Sequence, residues 1–350
     1  MFTKPVAAPA DPGSGSRVVG LIPVVSTAWG RLGLVALFCT DTFLDEYGDR
    51  IAAIAPDLDV IALRPGEEVS DADVERITVA FFSNDAWPDR AGSFFKVALS
   101  TTNLQWFHSM SAGVDSPVFS TFLERGARLT TSSGASAPPI AGTVMLYLLA
   151  LSRGLPGWLR AQAAHEWAPE PFDELDGQRL VVVGYGPIGQ EVVRLATAFR
   201  MDPVIVRRSA HGDEPCPVRP LAELVDVVSD ADAVVIALPL AEETRGIISP
   251  EVIAAMPASA VFVNVGRGEL VDQVALTDAL VTGRLAGAGL DVFDPEPLAA
   301  DDALWDLPNV IISPHNSGSS NGTTNRVAEI FLDNLGRFVR GESLRNEVRS

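Results

Sequence analysis

Short apolar segments alternate along this chain with longer stretches whose apolar residues recur at helical spacing. Short apolar runs are typical of buried parallel strands, and the stretches between them are long enough for helices. The alternation therefore predicts an α/β protein with mainly parallel sheets. In the first part of the chain it predicts strands at 34–39, 60–63, 77–82 and 104–109 and a helix at 41–54.

The pattern changes near the middle of the chain. Ser136-Ala-Pro-Pro139 precedes a continuous apolar segment, and prolines suit the first turn of a helix. We predict a helix at 140–153 that crosses into a second domain, and an irregular stretch at 155–176. The later strands are predicted at 180–184, 203–206, 233–238, 260–265, 286–292 and 310–313, and a last amphipathic helix at 324–340.

These elements predict two doubly wound parallel-sheet lobes, since 350 residues are many for a single core. A Rossmann dinucleotide-binding domain at 138–317 is inserted into a flavodoxin-like substrate domain, because the last helix is expected to return to the first lobe. The substrate domain is then formed by 17–137 and 318–350. Residues 1–16, rich in Pro, Ala, Gly and Ser, are expected to be a disordered tail.

Composition narrows the partners and the compartment. The chain has 26 basic and 45 acidic residues and a net charge of −19, which disfavours nucleic acid and anionic membranes. The segment at 18–25 faintly resembles a signal peptide but lacks a preceding basic cluster, and the apolar stretch at 140–151 is too short to span a bilayer. Cys39 and Cys216 have no metal-ligand spacing. We therefore expect a cytoplasmic protein with free thiols and no metal.

A glycine-rich turn carries the most specific chemistry. Gly184, Gly186 and Gly189 follow an apolar strand and precede a helical pattern, which is the context of a dinucleotide-binding fingerprint. The first glycine permits the tight turn, the second the approach of the pyrophosphate, and the third close helix packing. Pro187 has no N–H, so Ile188 should contribute more of the phosphate contact at the helix N-terminus. The alternative is a turn whose glycines serve packing only.

The end of the second strand of this domain favours NADP(H). An NAD-binding chain usually has Asp or Glu there to hold the ribose hydroxyls. This chain instead has Arg207, Arg208 and Ser209, and guanidinium groups bind phosphate through charged hydrogen bonds. The alternative is a solvated basic turn.

Three further residues form a candidate catalytic set at the ends of apolar segments. His315 follows a strand and a proline, and histidine titrates in the range that a proton donor to a carbonyl oxygen needs. Glu296 lies in a Pro-rich loop and could orient the imidazole and stabilise its charged form. Arg267, between two glycines, could hold a substrate carboxylate. In isolation, these three could equally be a structural histidine, an exposed acid and a salt-bridge arginine.

With these residues in place, the chain resembles the D-isomer-specific 2-hydroxyacid dehydrogenases from about residue 34 to the last helix. The supporting motifs are Ala112-Gly-Val-Asp115, Leu238-Pro-Leu-Ala-Glu-Glu-Thr-Arg-Gly246, Asn264-Val-Gly-Arg-Gly268, Leu290-Asp-Val-Phe293 and Leu304-Trp-Asp-Leu-Pro-Asn-Val310. The resemblance implies that Arg267, Glu296 and His315 are catalytic, and that backbone N–H groups of Ser111, Ala112 and Gly113 hold the substrate carboxylate. It also implies a homodimer. The remaining implied cofactor contacts are Pro239, Thr244, Asp291 and Gly318.

The arginine pair resembles the NADPH-dependent glyoxylate/hydroxypyruvate reductase branch of this family. The expected activity is hydride transfer between NADP(H) and C2 of a small 2-keto or 2-hydroxy acid. Departures are Gly142 in place of a glutamate, Pro187 in place of an arginine, and Ser132-Ser133 in place of an asparagine. Formate dehydrogenases pair the histidine with glutamine, so Glu296 argues against that reaction. Phosphite oxidation and a non-catalytic nucleotide-sensing role stay open.

Overall fold

The structure is a computed structural model that describes residues 36–114 and 116–348. The expected tail, the signal-like segment and the start of the first predicted strand lie outside these residues, as does Asp115.

The first lobe is a five-stranded parallel sheet. Its strands are β1 (Ala36–Thr40), β2 (Asp59–Leu63), β3 (Ile77–Phe82), β4 (Trp106–Ser109) and β5 (Arg128–Thr131), in the order β2-β1-β3-β4-β5. Its helices are α1 (Asp41–Ile54), α2 (Asp71–Arg76), α3 (Ala91–Ser100) and α4 (Pro117–Glu124). Alternate strand residues enter two different cores, one with α1 and one with α3 and α4, so the sheet is covered on both faces.

The second lobe is a seven-stranded parallel sheet. The strands are β6 (Arg179–Val183), β7 (Asp202–Arg207), β8 (Val218–Pro220), β9 (Ala233–Ile236), β10 (Val261–Asn264), β11 (Gly287–Leu290) and β12 (Val310–Ile312). Their order is β12-β11-β10-β9-β6-β7-β8. The helices are α5 (Ala137–Ser152), α6 (Leu155–Ala164), α7 (Pro187–Ala198), α8 (Leu224–Val228), α9 (Pro250–Ala255) and α10 (Gln273–Val281). One core contains α5 and α7, and the other contains α8, α9 and α10.

The last helix, α11 (Asn321–Val339), packs against the first lobe. Its buried residues Val327 and Phe331 belong to the same core as Phe43 of α1 and Phe81 of β3. The two parallel-sheet lobes predicted from the sequence are thus confirmed, whereas the predicted domain boundaries stay a prediction.

Three elements differ from the sequence prediction. The stretch at 155–176 was expected to be irregular, which is wrong for its first part, because α6 forms there. The sequence of α6 contains the pair Pro156-Gly157, which is typical of turns, and none of its residues is buried. The short strands β5 and β8 were not predicted either, since neither forms an apolar run and β8 ends in a proline.

No single helix within 36–114 and 116–348 is long and apolar enough to cross a membrane. By length and composition only, the bent pair α5 and α6 passes the same test, with 62° between the two helices. Much of α5 is buried against the second sheet and α7, which is how the core helix of a folded lobe behaves.

Candidate active site

The glycine turn between β6 and α7 is fixed by close backbone approach. Gly184 has a φ of +104°, and a Cβ there would stand 2.6 Å from the Ala237 carbonyl oxygen. A Cβ on Gly189 would stand 2.1 Å from the Gly184 carbonyl oxygen, so only glycine fits. A Cβ on Gly186 would meet no described atom within 4 Å. Two glycines therefore serve the fold, and the third leaves the backbone open to a ligand.

The same turn begins α7 without a side-chain cap among the described residues. Gly186 is the N-cap, Pro187 occupies the first turn, and no side chain bonds the first N–H groups of the helix. An uncapped helix N-terminus of this length attracts phosphate oxygens. The turn thus fits the pyrophosphate of a dinucleotide, and the contact of the Ile188 N–H with a phosphate stays a prediction.

The end of β7 contains a carboxylate that the sequence analysis missed. Arg207 is half-buried, and its Nη1 donates to Glu214 Oε1 at 2.8 Å, while Arg208 and Ser209 are exposed. The strand-end sequence itself has no carboxylate, as stated above, and this one comes from the loop that follows. Glu214 is seven positions further along an irregular loop, and only the folded loop brings it to the arginine.

His315 and Glu296 form a hydrogen-bonded pair. His315 Nδ1–H donates to Glu296 Oε2 at 2.8 Å, and Glu296 Oε1 accepts from the Phe293 backbone N–H at 3.0 Å. Both side chains are partly exposed, at 47% and 36%. Because the carboxylate fixes Nδ1, the Nε2 atom is the nitrogen that can meet a substrate.

The loop that carries His315 is organised by a buried carboxylate. Asp291, at the end of β11, accepts from the Oγ atoms of Ser313 and Ser317 and from the Asn316 and Ser317 backbone N–H groups, at 3.0 and 3.2 Å for the latter two. The His315 N–H donates to the Asp291 carbonyl oxygen at 2.8 Å. His315 itself has a φ of +48°, a left-handed conformation that non-glycine residues rarely adopt. These bonds hold it there.

A tyrosine extends this network into α5. The hydroxyl of Tyr147 is hydrogen-bonded to Ser313 Oγ, and burial raises the pKa of this phenol to about 12. A Cβ on Gly289 of β11 would stand 2.4 Å from the Tyr147 ring, so the helix lies directly on the strand. The predicted contact of Asp291 with a nicotinamide stays a prediction, and the structure gives its carboxylate a role inside the chain.

Arg267 follows β10 in a turn that is fixed on both sides. Its Nη1 donates to the Gly266 carbonyl oxygen at 2.8 Å, and the Asn264 side chain bonds both the Gly266 N–H and the Arg267 carbonyl oxygen. A Cβ on Gly268 would stand 2.0 Å from the Phe293 backbone, so this turn lies against the loop that contains Glu296. The two predicted residues are therefore held by neighbouring backbone segments.

The expected substrate loop follows β4 in the other lobe. The Ser111 N–H donates to Ser109 Oγ at 3.2 Å, and the Ser111 Oγ donates to the Gly113 carbonyl oxygen at 2.8 Å. The N–H of Ser111 is thus used inside the loop, which makes Ala112 and Gly113 the better candidates to hold a carboxylate.

Below this loop lies a buried histidine. His108 bonds Thr130 Oγ1 at 2.6 Å and Ser132 Oγ at 3.1 Å through its two ring nitrogens, and burial lowers its pKa to about 3. It is neutral near pH 7 and supports the strands.

The remaining predicted residues shape the edges of the site. Thr244 Oγ1 donates to the Pro239 carbonyl oxygen at 2.9 Å and closes the turn after β9. A Cβ on Gly318 would meet the Ser136 side chain at 3.2 Å, and one on Gly134 would meet Pro187 at 3.7 Å. The glycine turn and the segment after His315 therefore both lie against the connection that leads into α5.

Apart from the 111–113 loop and the residues around His108 in the first lobe, these segments follow neighbouring strands at the same edge of the second sheet. The strands β12, β11, β10, β9, β6 and β7 are adjacent in that order, and each contributes a segment described above from its carboxyl end. Open α/β sheets bind ligands outside the carboxyl ends of their strands. The fold and the site together define a dinucleotide-binding α/β protein with an acid/base pair at the same sheet edge as the cofactor turn.

Comparison with known proteins identifies the family. Residues 145–317 match the NAD-binding domain of the D-isomer specific 2-hydroxyacid dehydrogenases. Glyoxylate/hydroxypyruvate reductase A of Arabidopsis thaliana is 31% identical over 261 residues, which cover 74% of this chain and 82% of that protein. The chain therefore belongs to the D-isomer-specific 2-hydroxyacid dehydrogenase family, and it is an NAD(P)-dependent oxidoreductase.

Solved structures agree with this assignment. A family member from Aeromonas salmonicida superposes with a TM-score of 0.74 at 31% identity, covering 90% of this chain and 98% of that one. A D-isomer specific 2-hydroxyacid dehydrogenase from Xanthobacter autotrophicus, solved with NADPH and MES, gives a TM-score of 0.72 at 27% identity, with the same coverage.

Proposed function

We propose that this protein is an NADPH-dependent reductase of a small 2-keto acid such as glyoxylate or hydroxypyruvate. The observation that carries the proposal is the hydrogen bond of 2.8 Å between His315 and Glu296, on the same sheet edge as the glycine turn. The similarity to glyoxylate/hydroxypyruvate reductases supports the substrate class.

The proposed mechanism assigns one role to each side chain. His315 donates a proton from Nε2 to the oxygen on C2, and Glu296 keeps the ring oriented and stabilises its charged form. Arg267 binds the substrate carboxylate and polarises the keto group. The N–H groups of the 111–113 loop hold the same carboxylate from the other lobe. The bound nicotinamide supplies the hydride.

The proposed cofactor site consists of the glycine turn and the residues around it. Gly184, Gly186, Pro187, Ile188 and Gly189 hold the pyrophosphate. The groups proposed for the rest of the cofactor are Arg207, Arg208, Ser209, Pro239, Thr244, Asp291 and Gly318. The two arginines support NADPH over NADH, because a 2′-phosphate needs cations that a ribose hydroxyl does not.

We also propose a cytoplasmic homodimer with the domain boundaries given above and no nucleic-acid or membrane partner. Large apolar side chains are exposed on α6 and the segment after it, with Trp167 at 96% and Leu159 at 57%. An apolar patch of this kind supports an interface between copies. Size-exclusion chromatography with light scattering should give twice the chain mass of 37.1 kDa.

The first test is oxidation of NADPH and of NADH with glyoxylate, hydroxypyruvate, pyruvate and a bulky aromatic keto acid. Turnover with NADPH that far exceeds turnover with NADH would support the proposal, and the best substrate would size the pocket. Tight dinucleotide binding without turnover on any keto acid would favour a nucleotide sensor, and turnover of phosphite with NADP⁺ would move the activity to that anion.

Replacing His315 by Asn should lower kcat by about 10²–10⁴-fold, because the variant has no proton to donate at this position. NADPH affinity and melting temperature should stay near those of the wild type. His165→Asn, at the exposed end of α6, is the matched control. Near-normal turnover in His315→Asn would overturn the catalytic assignment.

A further inference from the structure

The guanidinium of Arg207 is held from three directions at the end of β7. Nη1 donates to Glu214 Oε1 at 2.8 Å, and Nη2 lies 3.2 Å from His211 Nε2. A guanidinium only donates, so the ring nitrogen of His211 is the acceptor of this bond. The ring of Tyr185, in the glycine turn, lies 5.8 Å from the guanidinium carbon. The arginine is thus fixed relative to both the loop and the phosphate-binding turn.

Glu214 in turn is fixed by the loop backbone. The His211 N–H donates to Oε1 and the Gly212 N–H to Oε2, both at 2.8 Å. These hydrogen bonds, the one from His211 first, hold the pKa of this carboxyl at about 2 although its burial opposes them. The side chain is 3% exposed, against 20% for Arg207. A side chain that binds the ribose hydroxyls must expose a carboxylate oxygen to the cofactor groove. The carboxylate of Glu214 is almost completely buried and does not do so.

A metal site is the competing interpretation of this loop. Donor atoms of His211, Asp213 and Glu214 lie within 4.8 Å of one another. Glu214 Oε1 already accepts two hydrogen bonds and His211 Nε2 is bonded to the arginine, so a cation bound through that nitrogen would have to displace the guanidinium.

We propose that Glu214 is a positioning residue that holds Arg207 in the orientation that receives the 2′-phosphate of NADPH. This rests on the proposed use of NADPH. Glu214 and His211 take two of the five N–H donors of the guanidinium and leave the others for phosphate oxygens. An arginine that is already ordered loses less rotamer freedom when the phosphate binds. The carboxylate of Glu214 would repel a phosphate if it faced it directly. Because it instead holds Arg207 in place, it favours binding of the 2′-phosphate.

The test is calorimetric binding of 2′,5′-ADP and of 5′-ADP, which needs no turnover. In wild type, 2′,5′-ADP should bind more tightly. In Glu214→Gln that preference should fall by about tenfold, with 5′-ADP affinity unchanged. Glu223→Gln, which breaks the exposed pair with Arg219, is the matched control and should change neither affinity. In kinetics, Glu214→Gln should raise KM for NADPH without changing kcat or KM for NADH.

A double-mutant cycle separates positioning from a general structural effect. Arg207→Lys keeps the charge and loses the planar fork, and adding Glu214→Gln to it should lower the 2′,5′-ADP preference no further. If each substitution lowered the 2′,5′-ADP preference by its own factor and the two factors multiplied in the double variant, the proposal would be overturned. Loss of the wild-type preference in EDTA would also overturn it, because that result would indicate a metal site.

The remaining outcomes separate this inference from the proposed function. A wild-type preference for 2′,5′-ADP that Glu214→Gln leaves intact overturns the role of Glu214 and keeps NADPH. Tighter wild-type binding of 5′-ADP, weakened by Glu214→Gln, would instead make Glu214 a ribose ligand and overturn both.

Discussion

The two lobes share one architecture and differ in what fills them. The core of the first lobe is aromatic: Phe81 stacks on Phe331 with ring centroids 4.1 Å apart, and Trp106 and Phe107 add further ring pairs. The two cores of the second lobe are mostly Val, Ile, Leu and Ala. Aromatic rings provide large buried areas at few positions, and small aliphatic residues let backbones approach closely.

The second lobe needs that close approach at its carboxyl edge. A Cβ on Gly184, Gly189, Gly266, Gly268 or Gly289 would come within 3 Å of a neighbouring atom. None of Gly66, Gly92 and Gly126 in the first lobe has such a neighbour. In the cofactor lobe, the close approach of backbone segments therefore limits which residues fit. In the other lobe, the volume of the buried side chains sets that limit.

The largest expected effect tests the aromatic core. Phe331→Ala should lower the free energy of unfolding by about 3–5 kcal/mol, because a fully buried ring leaves a cavity between Phe81 and Trp106. Denaturant titration measures the loss, and Phe331→Leu should recover much of it. The dinucleotide affinity of the folded fraction should stay unchanged, and a large drop in that affinity would erase the distinction between the lobes.

The next effect tests the backbone constraint. Gly189→Ala should weaken dinucleotide binding by about a hundredfold, or roughly 3 kcal/mol, and should lower the melting temperature, since α7 must move away from β6. Gly186→Ala is the matched variant: its Cβ meets no described atom, so it should weaken binding and leave the melting temperature unchanged. Equal stability of the two variants would contradict this interpretation.

An effect that is smaller for each unit of pH tests the polar strand end of the first lobe. The pKa of His108 is about 3 when folded, below its ordinary value of about 6.5, so the unfolded chain takes up a proton first as pH falls. The stability that the neutral His108 contributes is therefore complete above about pH 6.5. As the pH falls toward 3, this contribution is lost by up to about 1.4 kcal/mol for each unit of pH. Denaturant titrations at several pH values measure this slope. It should flatten in His108→Asn and persist in His165→Asn.

The smallest effect concerns two glycines at which an added Cβ would contact no described atom within 4 Å. Gly142 is exposed within α5 with open space at its Cβ, so Gly142→Ala should raise the free energy of unfolding by about 0.5–1 kcal/mol. Gly126 has similar space but a φ of +82°, and Gly126→Ala should be destabilising instead. Thermal unfolding of the pair separates the effect of space from that of φ.

The same contrast explains what the sequence could predict. Positions such as 184 and 189 accept only glycine, so their spacing is readable as a motif, and the strands before them are apolar runs. The pairing of Glu296 with His315 was expected from the chemistry of the two side chains and from the family resemblance, and the structure shows that they follow the adjacent strands β11 and β12. The aromatic core of the first lobe follows no fixed spacing of residues along the chain, so its sequence carries weaker motif signals.

The features that sequence reasoning missed depend on loops or on exposure. Glu214 reaches Arg207 only through the conformation of an irregular loop, and no fixed spacing predicts it. The bonds of Asp291 to Ser313 and Ser317 arise between two strand ends and involve common residue types. The helix α6 buries none of its residues in the single chain, and its sequence contains the turn-like pair Pro156-Gly157.

One consequence follows from where the proposed catalytic groups are attached. Arg267, Glu296 and His315 all follow strands of the seven-stranded sheet, and Tyr147 ties the histidine loop to α5 of the same lobe. The 111–113 loop belongs to the other sheet. On the proposed roles, a hinge rotation moves the acid as one body with the cofactor and carries the carboxylate anchor toward or away from it. Any change in the angle between the lobes would then move the substrate anchor and leave the hydrogen bond between Glu296 and His315 in place, because both residues belong to one lobe.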